Sequence, residues 1–242
     1  MEVTTKQPSF LQQLTGTTPL PPKKTAKWPL RAPGIINERP HITIICGKKN
    51  SGKSTLCCKL LKSYWRNVYQ RIIFISPTFR HQYEKLWSCL KADGITVYES
   101  ISEELINRII TEQTGGKQST LLIFDDLGED CKRKDSVPPA LMNKLCSNSR
   151  HLNLSIVSLN QSYTQTPTIL RNNADTIITF SAISFREQDR LFKEVSVVDR
   201  KRFMEIFSFA TELHAHAYLV STIGTDGCLR FYQSDFATEI KK

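Results

Sequence analysis

Ile42-Thr43-Ile44-Ile45-Cys46-Gly47-Lys48-Lys49-Asn50-Ser51-Gly52-Lys53-Ser54-Thr55 decides how the rest of this 242-residue chain is read. A strand-like apolar run enters a loop with glycine at both ends, and Leu56-Cys57-Cys58-Lys59-Leu60-Leu61-Lys62 continues as a helix. Gly47, Gly52, Lys53 and Ser54 fill every fixed position of the phosphate-binding pattern G-x-x-x-x-G-K-[ST], in its strand–loop–helix context. Glycine allows the backbone to wrap close to a phosphate without a Cβ clash, and the freed N–H groups and helix N-terminus present positive partial charge to the anion. Gly47, Lys48, Lys49, Asn50, Ser51, Gly52, Lys53, Ser54 and Thr55 are thus the expected contacts to a nucleoside triphosphate, ATP. Lys53 reaches the β- and γ-phosphates in this reading, and the Ser54 hydroxyl ligates Mg²⁺.

Outward from that loop, strand-like and helix-like segments alternate. Strands are expected at Ile42–Cys46, Arg71–Ser76, Ile95–Tyr98, Leu121–Asp125, Leu154–Leu159 and Thr176–Phe180, with helices around 53–66, 79–91, 102–113, 138–148 and 185–194. Ile72-Ile73-Phe74-Ile75 and Leu121-Leu122-Ile123-Phe124 are apolar on both faces, as in strands buried within a parallel sheet. Ala217–Ser221, a Gly224–Gly227 turn and Cys228–Tyr232 read instead as an antiparallel hairpin at the sheet edge. The fold class is α/β: a P-loop NTPase with a mostly parallel central sheet flanked by helices, and ligands bound beyond the carboxyl ends of the strands.

Hydrolysis needs a metal ligand and a group to orient water. Leu121-Leu122-Ile123-Phe124-Asp125-Asp126, four apolar residues and then two acids at a strand end, has the Walker B pattern. Asp125 is the expected Mg²⁺ partner and Asp126 the residue that polarises the attacking water. Leu154–Leu159 leads into Asn160-Gln161-Ser162, where Gln161 can hydrogen-bond both a γ-phosphate and a water. Arg150, just before that strand, would lie at its other end from Gln161. One molecule could then hardly use both on the same nucleotide, so Arg150 is either an ordinary surface arginine or an arginine finger offered to a neighbouring subunit.

Gly47–Thr55, Leu121–Asp126, Arg150-His151, Ile156–Gln161, Thr166-Pro167 and Arg171-Asn172-Asn173-Ala174-Asp175 together resemble the HerA/FtsK superfamily of ATPases, most closely the packaging ATPases of large double-stranded DNA viruses and virophages. The resemblance covers roughly residues 41–182. It implies a homo-oligomeric ring, pentamer or hexamer, that uses ATP to translocate double-stranded DNA into a preformed capsid. A capsid or portal-vertex protein is then a partner, and the host cytoplasm at the viral assembly site is the location, with the virion as a second. In that superfamily an arginine ahead of the glutamine strand acts in trans, a role that falls on Arg150. The Asp at position 126, where Glu is more frequent, also occurs among the viral members.

Lysine and arginine total 33 against 23 acids, a net charge of +10, which favours a polyanionic partner. Two loops could grip DNA phosphates without reading bases: Cys131-Lys132-Arg133-Lys134 and Thr78-Phe79-Arg80-His81-Gln82-Tyr83. Residues 1–40, rich in proline and lysine, read as an extended or disordered basic arm ahead of an ATPase domain over 41–242, either a free tail or one that Phe10-Leu11, Leu14 and Trp28-Pro29-Leu30 could anchor on its own domain or on a neighbour. The chain lacks any stretch near the ~18 apolar residues of a membrane span. Its seven scattered cysteines read as reduced, core-filling thiols. His214 and His216 read as edge-strand histidines, and Thr225-Asp226-Gly227 as a turn. Two rival functions fit the same fold. A P-loop nucleotide or small-molecule kinase would draw lid arginines from Arg186, Arg190, Arg200 and Arg202, and a nucleotide-gated capsid assembly protein would not hydrolyse at all.

Overall fold

The computed structural model describes residues 40–77, 95–115, 118–126, 137–181, 183–195, 198–224 and 226–241. The N-terminal arm, the helix expected at 79–91 and both expected DNA loops, Thr78–Tyr83 and Cys131–Lys134, lie outside the described residues. The strands are β1 (Ile42–Cys46), β2 (Arg71–Ile75), β3 (Ile95–Tyr98), β4 (Thr120–Asp125), β5 (Leu154–Asn160), β6 (Thr176–Phe180), β7 (Tyr218–Ile223) and β8 (Leu229–Tyr232). They form one eight-stranded sheet in the order β3-β2-β4-β5-β1-β6-β7-β8. All neighbours from β3 to β6 are parallel. β7 and β8 are antiparallel additions at one edge. The expected sheet and its C-terminal hairpin are therefore what the chain adopts.

Strict alternation explains why this sheet is buried on both faces. Ile44, Ile73, Leu122, Phe124, Ile156 and Ile177 pack into one core. Their sequence neighbours Ile45, Ile72, Phe74, Leu121, Ile123, Val157 and Ile178 pack into the other, as a period of two requires. The second core is closed by α1 (Lys53–Leu60), which runs on through a π-helical turn at Leu61–Trp65 to Arg66–Val68 and buries Leu60, Tyr64 and Trp65. The first core takes α2 (Glu103–Gln113), α3 (Pro139–Ser147), the single short turn α4 (Thr168–Asn172), α5 (Phe185–Val195) and α6 (Arg200–Thr211).

The α2 start is specified locally. Ser102 Oγ accepts from Leu105 N at 3.1 Å, and Glu103 and Glu104 occupy the first turn, where the helix dipole favours them. α6 is an element that the alternation reading passed over. Its signals are present nonetheless: Asp199 caps the Arg202 amide at 3.0 Å, and Phe203, Ile206, Phe207 and Ala210 share one buried face. Among the cysteines, Cys46, Cys57, Cys58 and Cys146 are buried free thiols as expected, but Cys228 is exposed beside the hairpin turn. Burial pushes the Cys46 thiol up to about 12. No described helix is long and apolar enough to cross a membrane.

Candidate nucleotide site

The strand order has a direct consequence for the site. β5 lies between β1 and β4, so the segment after β5 emerges between the phosphate loop and the two acids. Gly47 N donates to Asn160 O at 3.2 Å, and Asp126 N donates to Leu159 O at 2.8 Å. β5 thereby holds the loop on one side and the acids on the other.

The loop is built around two glycines with different reasons. A Cβ at Gly47 would meet Phe180 Cβ and Ser51 Oγ, each at 2.8 Å, so only glycine fits. At Gly52 the space is open enough, but φ is 106°, a conformation that side chains resist. Lys53 is buried, and its Nζ donates to Gly47 O at 2.6 Å and Lys48 O at 2.9 Å. An ammonium has three donors, so one remains for an anion at the loop mouth. Burial lowers the Lys53 pKa, while Asp125 and Asp126 oppose that shift. Ser51 Oγ is buried without a hydrogen-bond partner, a polar atom inside the cradle that a phosphate oxygen could satisfy.

Lys49, Asn50, Gly52, Lys53, Ser54, Thr55, Asp125, Asp126, Leu159, Gln161 and His216 line one cleft of about 460 Å³. Asp125 is buried at the end of β4 and accepts from Ser76 Oγ at 2.9 Å. Asp126 turns out of the strand with φ 61°, a left-handed conformation that aspartate tolerates better than most residues. Gln161 Nε2 donates to Asp126 Oδ2 at 2.5 Å. The structure thus brings Lys53, Ser54, Asp125, Asp126 and Gln161 together around one space.

Mg²⁺ bound with a triphosphate takes one or two protein oxygens and keeps the rest of its shell as water and phosphate. The Ser54 hydroxyl and the Asp125 carboxylate line the same cleft and fit that donor set. Among the described residues no three His, Cys, Asp or Glu side chains cluster to hold a metal by themselves.

Arg150 does not line the cleft. It belongs to the turn before β5, at the opposite end of the parallel strands, with its side chain 76% exposed. Nη2 donates to Asp175 Oδ1 at 3.4 Å, and Asp175 in turn receives the Ile42 amide at 2.8 Å. The separation of Arg150 and Gln161 along β5 is therefore as read from the sequence. Arg186 and Arg190, suggested as lid arginines for a kinase, line a different cleft.

His216 corrects the sequence reading. His214 and His216 precede β7 instead of lying on an edge strand. His216 lines the phosphate cleft, with Nδ1 3.0 Å from Ser51 O. A carbonyl only accepts, so Nδ1 carries the proton. The two residues are 165 positions apart in sequence, and no local pattern announces the contact.

Over residues 35–229 the chain matches the family model described as poxvirus A32 protein. The chain belongs to the poxvirus A32 protein family. The DNA packaging protein OPG160 of variola virus is 25% identical over 171 residues, which are 67% of this chain and 61% of that relative. The monkeypox virus protein of the same description is 23% identical, with 55% of its length covered. The chain thus spans less than two thirds of the length of these relatives. Among solved structures, the genome packaging NTPase B204 of Sulfolobus turreted icosahedral virus 2, in complex with AMP, superposes with a TM-score of 0.60 at 19% identity, covering 82% of this chain and 98% of that one. The pCW3 conjugation coupling protein TcpA, with ATPγS, gives 0.53 at 14% identity, covering 82% and 61%. At such identities the likeness establishes a shared P-loop NTPase fold. The A32 family and this fold agree with the viral packaging-ATPase resemblance drawn from the motifs.

Proposed function

We propose that the chain hydrolyses ATP with Mg²⁺ and uses the reaction to drive double-stranded DNA, without regard to sequence, into a preformed viral capsid. The observation that carries this reading is the grouping of Lys53, Ser54, Asp125, Asp126 and Gln161 about one cleft. It is supported by membership of a family whose variola relative is a DNA packaging protein. Residues 41–242 act as the ATPase domain and 1–40 as a basic arm. Five or six copies form a ring that meets a capsid or portal-vertex protein, at the viral assembly site in the host cytoplasm and in the virion.

The phosphate loop binds the triphosphate through its backbone N–H groups and the ammonium of Lys53. Ser54 and Asp125 would hold Mg²⁺, which when bound would neutralise negative charge on the triphosphate. A water attacks the γ-phosphorus as the bond to the β–γ bridging oxygen breaks, and the water's proton goes to the Asp126 carboxylate. Gln161, hydrogen-bonded to that carboxylate, fixes its orientation and registers the loss of the γ-phosphate. Arg150 serves the nucleotide of a neighbouring copy.

ATP turnover measured with and without duplex DNA, across a protein concentration series, tests the whole reading. Turnover per subunit should rise with both, and Lys53→Ala should abolish it. Phosphate transfer to an acceptor other than water would indicate a kinase. Tight ATP binding without turnover under any condition would indicate a nucleotide-gated assembly protein.

A further inference from the structure

We infer that the basic cleft between α4 and α5 binds the phosphate backbone of duplex DNA. This rests on the proposed DNA-translocating function and assigns a surface to it. The cleft, of about 420 Å³, is lined by Thr164, Arg171, Arg186, Asp189, Arg190 and Lys193. Arg186, Arg190 and Lys193 recur at i, i+4 and i+7 of α5, so they form a stripe along one helical face. At 1.5 Å per residue that stripe is about 10 Å long, a length that meets several successive phosphates better than a single one. Arg190 and Lys193 are half or more exposed, at 50% and 66%.

Five bases, Arg171, Arg186, Arg190, Lys193 and Arg200, outnumber the three acids of α5, Glu187, Asp189 and Glu194. Glu194 serves both Arg171 and Arg190, while Asp189 serves both Lys193 and Arg200. Arg186 is exposed and enters no ion pair among the described residues. Arg171 adds a fixed charge to the cleft instead of a direct contact. Its side chain is only 7% exposed, and its Nε is fully buried without a hydrogen-bond partner. The guanidinium is otherwise fixed, with Nη2 donating to Thr168 Oγ1 at 3.1 Å and its carbon 5.6 Å from the centre of the Tyr163 ring. Arginine can read guanine edges as well as grip phosphates, and it is the proposed sequence-independent translocation that assigns this stripe to the backbone.

The position suits a motor. Thr164 lines this cleft and Gln161, three residues earlier, lines the nucleotide cleft. Between them, Tyr163 donates its amide to Glu187 Oε1 and its hydroxyl to Glu194 Oε2, each at 2.9 Å, and both acids belong to α5. One short segment therefore anchors the amide beside Asp126 and the helix that bears the basic stripe.

The test is fluorescence anisotropy of a labelled random-sequence duplex bound to the full chain, over a sodium chloride series. Each phosphate neutralised contributes about 0.9 to the log–log salt slope. The triple variant Arg186→Ala, Arg190→Ala, Lys193→Ala should lose about 2–3 from the slope of the wild type. A second triple variant removes equal charge from exposed positions elsewhere, Lys62→Ala, Arg108→Ala, Lys144→Ala, and should keep the slope. The charge-conserving pair Arg186→Lys, Arg190→Lys should keep it too. An unchanged slope in the first variant overturns the inference, as does an equal loss in the second, which would mean diffuse attraction. Lost ATP turnover with an unchanged slope also overturns it, and assigns the cleft to a neighbour's nucleotide. Failure of the wider function is distinguishable: the wild-type chain itself would then bind ATP but show no salt-dependent duplex binding.

Discussion

The two ends of the parallel strands differ in how complete they are. At the carboxyl ends of β1, β4 and β5, one chain supplies a phosphate loop, a metal-compatible carboxylate, a candidate base and a sensor amide about a single cleft. At the amino ends the chemistry is sparse: Arg150, highly exposed, leans on Asp175 beside the start of β1. An exposed ion pair of this kind contributes about 0–1 kcal/mol, so Arg150 can leave Asp175 at little cost. On the proposed function, the carboxyl ends carry the groups that hold the triphosphate, whereas Arg150 would gain a chemical role only where another copy brings a nucleotide to it.

The largest expected effect breaks that contrast directly. Arg150→Ala should bind ATP normally and hydrolyse it more slowly by about 10³–10⁵, the range known for arginine fingers. Its thermal midpoint should barely change, because the pair it loses is exposed. Mixing gives the sharper result. Lys53→Ala subunits keep Arg150, and Arg150→Ala subunits keep the loop, so blended rings should regain turnover wherever an intact finger faces an intact loop. Mixed rings that form, tolerate a dead neighbour and remain inactive would return Arg150 to the status of a surface arginine.

Next in size is Asp126→Asn, which should retain ATP affinity while turnover falls by about 10²–10⁴, the usual worth of a positioned general base. The amide keeps the size of the side chain but cannot take the proton. Near-normal turnover would transfer water positioning to Gln161 alone and leave Asp126 as its anchor.

The contrast also separates what the sequence reveals from what only the fold does. The phosphate loop and the Asp125-Asp126 pair are legible because their chemistry is local: glycines, lysine, serine and acids must adjoin a strand end to function. The strands themselves announce their burial through runs apolar on both faces, such as Leu121–Phe124. The Arg150–Gln161 separation follows from the strand that joins them. The basic cleft was not legible as a unit, since Arg171 and the α5 arginines meet only when α4 and α5 pack together. α6 escapes the sequence pattern for another reason: its Phe203, Ile206, Phe207, Ala210 periodicity lies in a stretch beyond the strand–helix alternation.

His216 is the hardest residue to foresee and carries the smallest predicted effect. It comes from the antiparallel, C-terminal part of the chain, yet bonds the carbonyl of Ser51 inside the phosphate loop. That contact ties the turn before β7 to the loop that Lys53 closes from within. One hydrogen bond contributes about 0.5–1.5 kcal/mol net, so His216→Ala should raise the KM for ATP by up to about tenfold. Turnover at saturation should fall far less, because neither Asp126 nor Gln161 depends on the imidazole. His216→Gln can still donate from an amide nitrogen and should recover part of the loss. A fall in kcat with unchanged KM would instead draw the histidine into the chemical step, and the antiparallel edge would then belong to the catalytic end of the sheet instead of merely bracing it.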